Sequence, residues 1–207
     1  RMMLNGMIRM PHARGSAANN ALGSFDHIYV VDGYTAPAAA FGTAGNNYLV
    51  VAGGANMFIK EHAEDAICAM LVKHGVRCTT GMSLWGNRTK LNRELVEPYV
   101  ARDGYDAIYF VSADMYDPGA AANRDFYFDS GTTLDQYYTM AFSASLLPGK
   151  VVDSRTEILM TLFDTATRKP VWNDYFDTRA SADSDKVIKQ AVKKTESGLR
   201  KAGLLGK

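Results

Sequence analysis

The chain is short of the features that announce most activities. Its 207 residues hold two cysteines, four histidines, and 23 Lys or Arg against 22 Asp or Glu. That near-balance leaves a net charge of +1, too little to draw the whole molecule to a nucleic-acid backbone, so no nucleic-acid partner is expected. No apolar run approaches the roughly 20 residues that a membrane-spanning helix requires; stretches such as residues 48–52 are far shorter. A G-x-S-x-G elbow is absent, and none of the histidines lies in a recognisable catalytic context, which argues against nucleophilic catalysis of the serine-hydrolase kind.

What is present is apolar patterning. With 47% hydrophobic residues, the chain can bury one sizeable core without metal or disulfide support. Residues 1–23, dotted with Met, Gly, Ala and Asn, read as a flexible or vector-derived leader, and residues 24–207 as a single α/β domain. Strands are expected at 25–31, 48–52, 76–84 and 106–112, each rich in β-branched or aromatic residues. A helix over 57–74 follows from the spacing of Ala63, Ile67, Met70 and Leu71, with Asn56 as N-cap and Gly75 as the stop. A second helix is expected over 90–102, kinked or divided at Pro98.

In the second half, residues 137–147 alternate and predict a half-buried strand. Residues 155–163 and 171–178, separated by a short polar turn, predict a hairpin. The stripe Ile188, Ala191, Val192, Thr195, Leu199 and Ala202 predicts a closing helix that docks on the sheet. The sum is an α/β (α+β) fold, one mixed sheet of about five to seven strands packed by about three helices.

The potential metal ligands are badly spaced. His62, Cys68 and His74 are six residues apart on one helix, so at about 100° per residue they point roughly 120° from one another and cannot converge on an ion. The spacing of Asp114, Asp117, Asp125 and Asp129 does not fit a calcium loop. No metal and no cofactor is therefore expected. Cys68 and Cys78 lie at matching heights on the helix and its returning strand. A disulfide between them requires a close approach at a sheet edge; a bonded pair and two buried thiols both remain open.

Two local features could carry function. The turn Ala52 to Asn56 leads into a helix N-terminus, where an anion could be held, yet it has neither a dinucleotide fingerprint nor the Lys of a P-loop. The segment 103–135 holds seven Asp and one Arg and no Lys or Glu, interleaved with Tyr116, Phe126, Tyr127 and other aromatics. Carboxylates beside aromatics can form a recognition surface, and Tyr116, Asp117, Phe126 and Tyr127 are its candidate binding residues. Residues 183–207 hold seven Lys or Arg against three acids, which reads most simply as a solvated helix face.

The passages EDAICAMLVKHGVRCTTG and RTEILMTLFDTATRKPVW, the latter followed by a long terminal helix, resemble bacterial envelope lipoprotein domains. They are similar to the curli-secretion lipoproteins, the penicillin-binding-protein activator lipoproteins and the amino-terminal domain of the Tol translocation protein. In those groups a strand, a short polar turn and a Val-Trp strand precede the last helix; the corresponding positions are 158–164, 167–169 and Val171 with Trp172. The resemblance implies a non-catalytic binding or assembly module in the periplasm or at the outer membrane. Its implied partners are an envelope protein or peptidoglycan, with a lipid anchor outside the visible chain and homo-oligomer formation both compatible with it. Two other readings compete: a small hydrolase or transferase with its site at the strand ends near Asp114, and a self-assembling structural subunit joined through an edge strand.

Overall fold

Apolar runs buried on both faces form the middle of the sheet. In the computed structural model, which describes residues 27–30, 46–53, 57–87, 92–116, 125–128, 133–141, 155–179 and 183–205, the elements follow in this order: β1 (His27–Val30), β2 (Asn47–Gly53), α1 (Met57–Lys73), β3 (Arg77–Thr80), α2 (Gly81–Trp85), α3 (Arg93–Asp103), β4 (Ala107–Tyr116), β5 (Asp125–Phe128), α4 (Leu134–Ala141), β6 (Arg155–Asp164), β7 (Pro170–Arg179) and α5 (Ser184–Lys201). The suspected leader, residues 1–23, and the expected N-cap Asn56 lie outside the described residues.

Five strands form one mixed sheet in the order β3-β2-β4-β6-β7, as expected for the fold class. β3, β2 and β4 run parallel; β6 and β7 continue antiparallel. Strands that run parallel in the centre of a sheet need cover on both faces. Alternate residues supply it: Tyr48, Val50, Tyr109, Val111, Met160, Leu162 and Trp172 pack under α1 and α5. Leu49, Val51, Ile108, Phe110, Leu159 and Phe163 pack on the opposite face against Trp85, Val96, Leu134, Tyr137 and Tyr138.

Caps define the long helices. Gly75 (φ 78°) closes α1: its own N–H donates to Val72 O, and Val76 N–H donates back to Leu71 O, with Leu71 and Val76 meeting in the core. Gly203 (φ 71°) closes α5 in the same way, Leu204 N–H reaching Leu199 O. Only a residue that tolerates the left-handed region completes this ending without strain.

Three expectations are corrected. Residues 137–141 are helical, within α4, rather than strand. Leu134, Tyr137 and Tyr138 are buried together at helical spacing, and Thr133 and Gln136 exchange bonds in a capping box, Gln136 N–H to Thr133 Oγ1 and Thr133 N–H to Gln136 Oε1. Residues 142–147 of that expected strand lie outside the described residues. The strand expected over 76–84 stops at Thr80, whose hydroxyl accepts from Ser83 N–H and starts α2. There Trp85 folds back onto Gly81 so closely that a Cβ would lie 2.5 Å from a ring carbon. Finally, α3 starts at Arg93 under an Asn92 cap and runs through Pro98 as one element. Pro98 stands in its second turn and removes one N–H without ending the helix.

The cysteine alternatives resolve as a bond. Cys68 of α1 and Cys78 of β3 form a disulfide with Cα atoms 5.4 Å apart. β3 is an edge strand that begins after only three linking residues, 74–76, beyond the end of α1, so the helix crosses close to the sheet border instead of riding a full layer above it. Replacing both cysteines by Ser should lower unfolding free energy by on the order of 2–3 kcal/mol, the loop entropy of a ten-residue separation. Urea denaturation measures it, and an unchanged midpoint would contradict the estimate.

Candidate functional site

The strands do not end level. β2 pairs with β4 only as far as Gly53 opposite Ser112, whereas β4 and β6 remain paired to Tyr116 opposite Arg155. β7 keeps pace, with Arg179 opposite Arg155. A three-stranded tongue therefore projects past the β2–β3 half by four residues, about 13 Å. Tyr116 is the last residue of β4 and stands at its tip.

Phe126 and Tyr127, the next candidates in sequence, belong to β5, which pairs in parallel with β1: Ile28 opposite Phe126 and Tyr29 opposite Tyr127. These two strands form a separate small sheet. Asp117 lies outside the described residues. Of the four candidate residues, three thus stand on strand backbone, at the tongue tip or in the small sheet.

At the carboxyl ends of β2 and β3 the structure places a charged pair that the sequence reading missed. Glu64 of α1 is 2% exposed and Lys60, one turn earlier, 4%. The Glu64 carboxylate accepts Ala52 N–H at 2.9 Å on one oxygen and Met82 N–H at 2.8 Å on the other. It thereby fastens the end of β2 to the first turn of α2. Burial pushes its pKa up to about 7, against the lowering effects of the two amides and of Lys60. Burial likewise lowers the pKa of Lys60, opposed by Glu64. A signal existed: positions 60, 64, 67 and 71 lie on one helical stripe, so two charges interrupt an otherwise apolar face.

At the opposite end of the sheet, Arg168 joins three elements. It stands in the β6–β7 turn with φ 58° and donates to both carboxylate oxygens of Glu97 (2.9 and 3.2 Å) and of Asp135 (2.9 and 3.1 Å). Tyr138 O–H adds a bond to Glu97 at 2.9 Å, and the Arg168 carbonyl accepts Leu134 N–H. The guanidinium holds Asp135 below the ordinary carboxylate range. All its donor directions toward α3 and α4 are used within the chain, so this is a brace for α4 and leaves little to offer a ligand.

Cys68 is in the disulfide and His74 shares a hydrogen bond with Glu196 of α5 at 2.8 Å. Among the described residues no cluster of three or more His, Cys, Asp or Glu is placed to hold an ion. No helix among them is long and apolar enough to cross a membrane.

No family model matches the chain, and no curated protein sequence does. Solved structures of similar shape include PelC dodecamers from Paraburkholderia phytofirmans. One, a point variant, has 10% identity over 81% of this chain and 96% of its own, with a TM-score of 0.44; another has 9% identity over 81% and 93%, with a TM-score of 0.41. Lipoprotein GNA1162 from Neisseria meningitidis has 12% identity over 75% of this chain and 98% of its own, with a TM-score of 0.34. At these identities and TM-scores no role passes from them to this chain.

Proposed function

We propose that this chain is a non-catalytic module of the bacterial cell envelope, exported to the periplasm or the outer membrane, that binds or assembles a partner through its acidic, aromatic segment. The observation that carries export is the Cys68–Cys78 disulfide: both cysteines of the chain are used in it, and such bonds persist in oxidising compartments and are scarce where glutathione keeps thiols reduced. The envelope lipoprotein groups resembled by the hairpin and terminal helix support the same compartment.

The binding role rests on Tyr116, Asp117, Phe126 and Tyr127. A projecting three-stranded tongue that ends at Tyr116 is a suitable mount for recognition residues, because a paired ladder fixes the backbone that presents them. An envelope protein or peptidoglycan is the partner this surface would take. Tyr116→Ala combined with Tyr127→Ala is expected to abolish capture of the native partner from envelope extracts while the circular dichroism spectrum stays unchanged. Undiminished capture would reject the segment. Intact mass of the native protein, with and without thiol alkylation, tests export separately: two alkylatable thiols in a cytoplasmic fraction would overturn it.

One observation favours a second reading, a hydrolase or transferase at the strand ends. A carboxyl group with a pKa near neutrality is a fit general acid or base, and Glu64 is such a group at that place. Its commitment weighs the other way. Both oxygens accept backbone amides and the side chain is shut from solvent, which makes it a fastener of two segments rather than a group aimed at a substrate.

A further inference from the structure

We propose that the outward face of α5 is a docking surface for an anionic phospholipid bilayer. On the helix, Lys186, Lys189, Lys193 and Arg200 fall within an arc of about 60° at 3.6 residues per turn. Ile188, Ala191, Thr195 and Leu199, the residues of α5 buried against the sheet, point the other way. The four cations are exposed and form a straight ridge of about 21 Å along the side of α5 that faces away from the sheet.

Several cations elsewhere in the fold are held in ion pairs, and these four are not. Lys194, off the ridge, binds Asp174 at 3.0 Å; Arg168, Arg93 and Arg102 each have a carboxylate partner. None of the four ridge cations has an ion pair among the described residues. The acids of α5 are otherwise engaged or stand at its start: Glu196 binds His74, and Asp183 accepts the Asp185 and Lys186 amides. Exposed Glu61 and Asp65 lie in the first half of α1. At the other end of the layer Lys73 of α1 stands close enough to act on Glu196 together with Arg200, and its neighbour Val72 is 58% exposed.

Helix electrostatics account for only part of the row. Arg200 belongs to the last turn of α5, where a cation is favoured by the carbonyl ends. Lys186 lies in the first turn, where the dipole opposes it, so its charge is placed there at a small local cost, while Lys189 and Lys193 lie beyond the reach of either helix end. A row of free cations on a convex ridge suits a flat sheet of headgroups; a grooved polyanion would call for cations lining a concave wall. Each Lys or Arg near such a surface contributes about a fivefold factor in partition, and the attraction falls off within the Debye length. The proposal does not depend on where the chain resides.

Vesicle flotation tests it with the whole chain. Binding is expected to vesicles of phosphatidylcholine mixed with phosphatidylglycerol, and not to phosphatidylcholine alone, and to weaken as salt rises. Lys186→Gln, Lys189→Gln and Lys193→Gln together, changes that keep helix propensity, are expected to weaken binding by roughly a hundredfold. Arg93→Gln, Arg102→Gln and Lys169→Gln, with the same net charge change off the ridge, are expected to retain it. Equal binding to neutral vesicles, equal loss in the two triple variants, or a clear preference for heparin or duplex DNA over the anionic vesicles would each overturn the assignment.

Discussion

Trp172→Ala is expected to lower the unfolding free energy by about 3–5 kcal/mol, the range for deleting a large buried aromatic. That is a large share of the roughly 5–15 kcal/mol that holds a typical domain. Trp172 of β7 is 3% exposed and stacks on Tyr109 of β4, centroids 6.5 Å apart and planes 17° from parallel. Its indole lies directly under α5, where a Cβ built on Gly198 would meet three ring atoms at 2.6–2.8 Å. Next to it Tyr109 O–H and Thr195 Oγ1 are 2.7 Å apart, and Thr195 also donates to Ala191 O. The helix is thus seated by one aromatic, one missing side chain and one buried hydroxyl pair.

This seat gives a sharper test than truncation alone. In an exposed helix Gly→Ala stabilises by about 1 kcal/mol; at Gly198 the overpacking term of about 1–3 kcal/mol should reverse the sign. Gly198→Ala in a Trp172→Leu background should then cost less than in the wild type, a coupling readable by a double-mutant cycle in urea. Additive losses would mean that the indole and the helix do not meet as described.

The seat also shows what could be read in advance. The apolar stripe of α5, the alternation of the hairpin and the Val171-Trp172 pair are local patterns with fixed periods, so β6, β7 and α5 were legible, as were β2, α1 and β4. The choice of glycine at 198 was not, because its reason is a ring twenty-six residues away in sequence. α4 was misread for a different cause: Tyr137, Tyr138 and their neighbours favour strands intrinsically, while the capping pair Thr133 and Gln136 and the spacing of Leu134 with Tyr138 favour a helix. Tertiary packing decided it, through Phe110 and Phe163, whose rings meet Tyr137 at 4.8 and 5.1 Å. Among the candidate binding residues, the sequence identified types and spacing; it held no information on the uneven strand ends that put Tyr116 at a tip, since pairing across β4 and β6 joins residues about forty apart.

Glu64 should make stability depend on pH near neutrality. Its pKa is raised from about 4.5 in the unfolded chain to about 7 in the fold, chiefly by burial, so between these values the folded state holds a proton that the unfolded state has released. Stability from this group is therefore fully present below pH 4.5 and is lost as pH rises toward 7. The swing is about 3 kcal/mol, from 1.36 kcal/mol per unit. Glu64→Gln should erase it, since the amide does not titrate. The Gln variant should also be less stable than the wild type at pH 5, because its NH2 group faces either Ala52 N–H or Met82 N–H and leaves one buried donor without an acceptor. As pH rises to 8 the gap between the two proteins should close or invert, because the wild type alone must then bury a carboxylate beside Lys60. Chemical denaturation at pH 5 and pH 8 measures the gap. A constant difference would mean that Glu64 stays ionised throughout, with Lys60 and the two amides outweighing its burial.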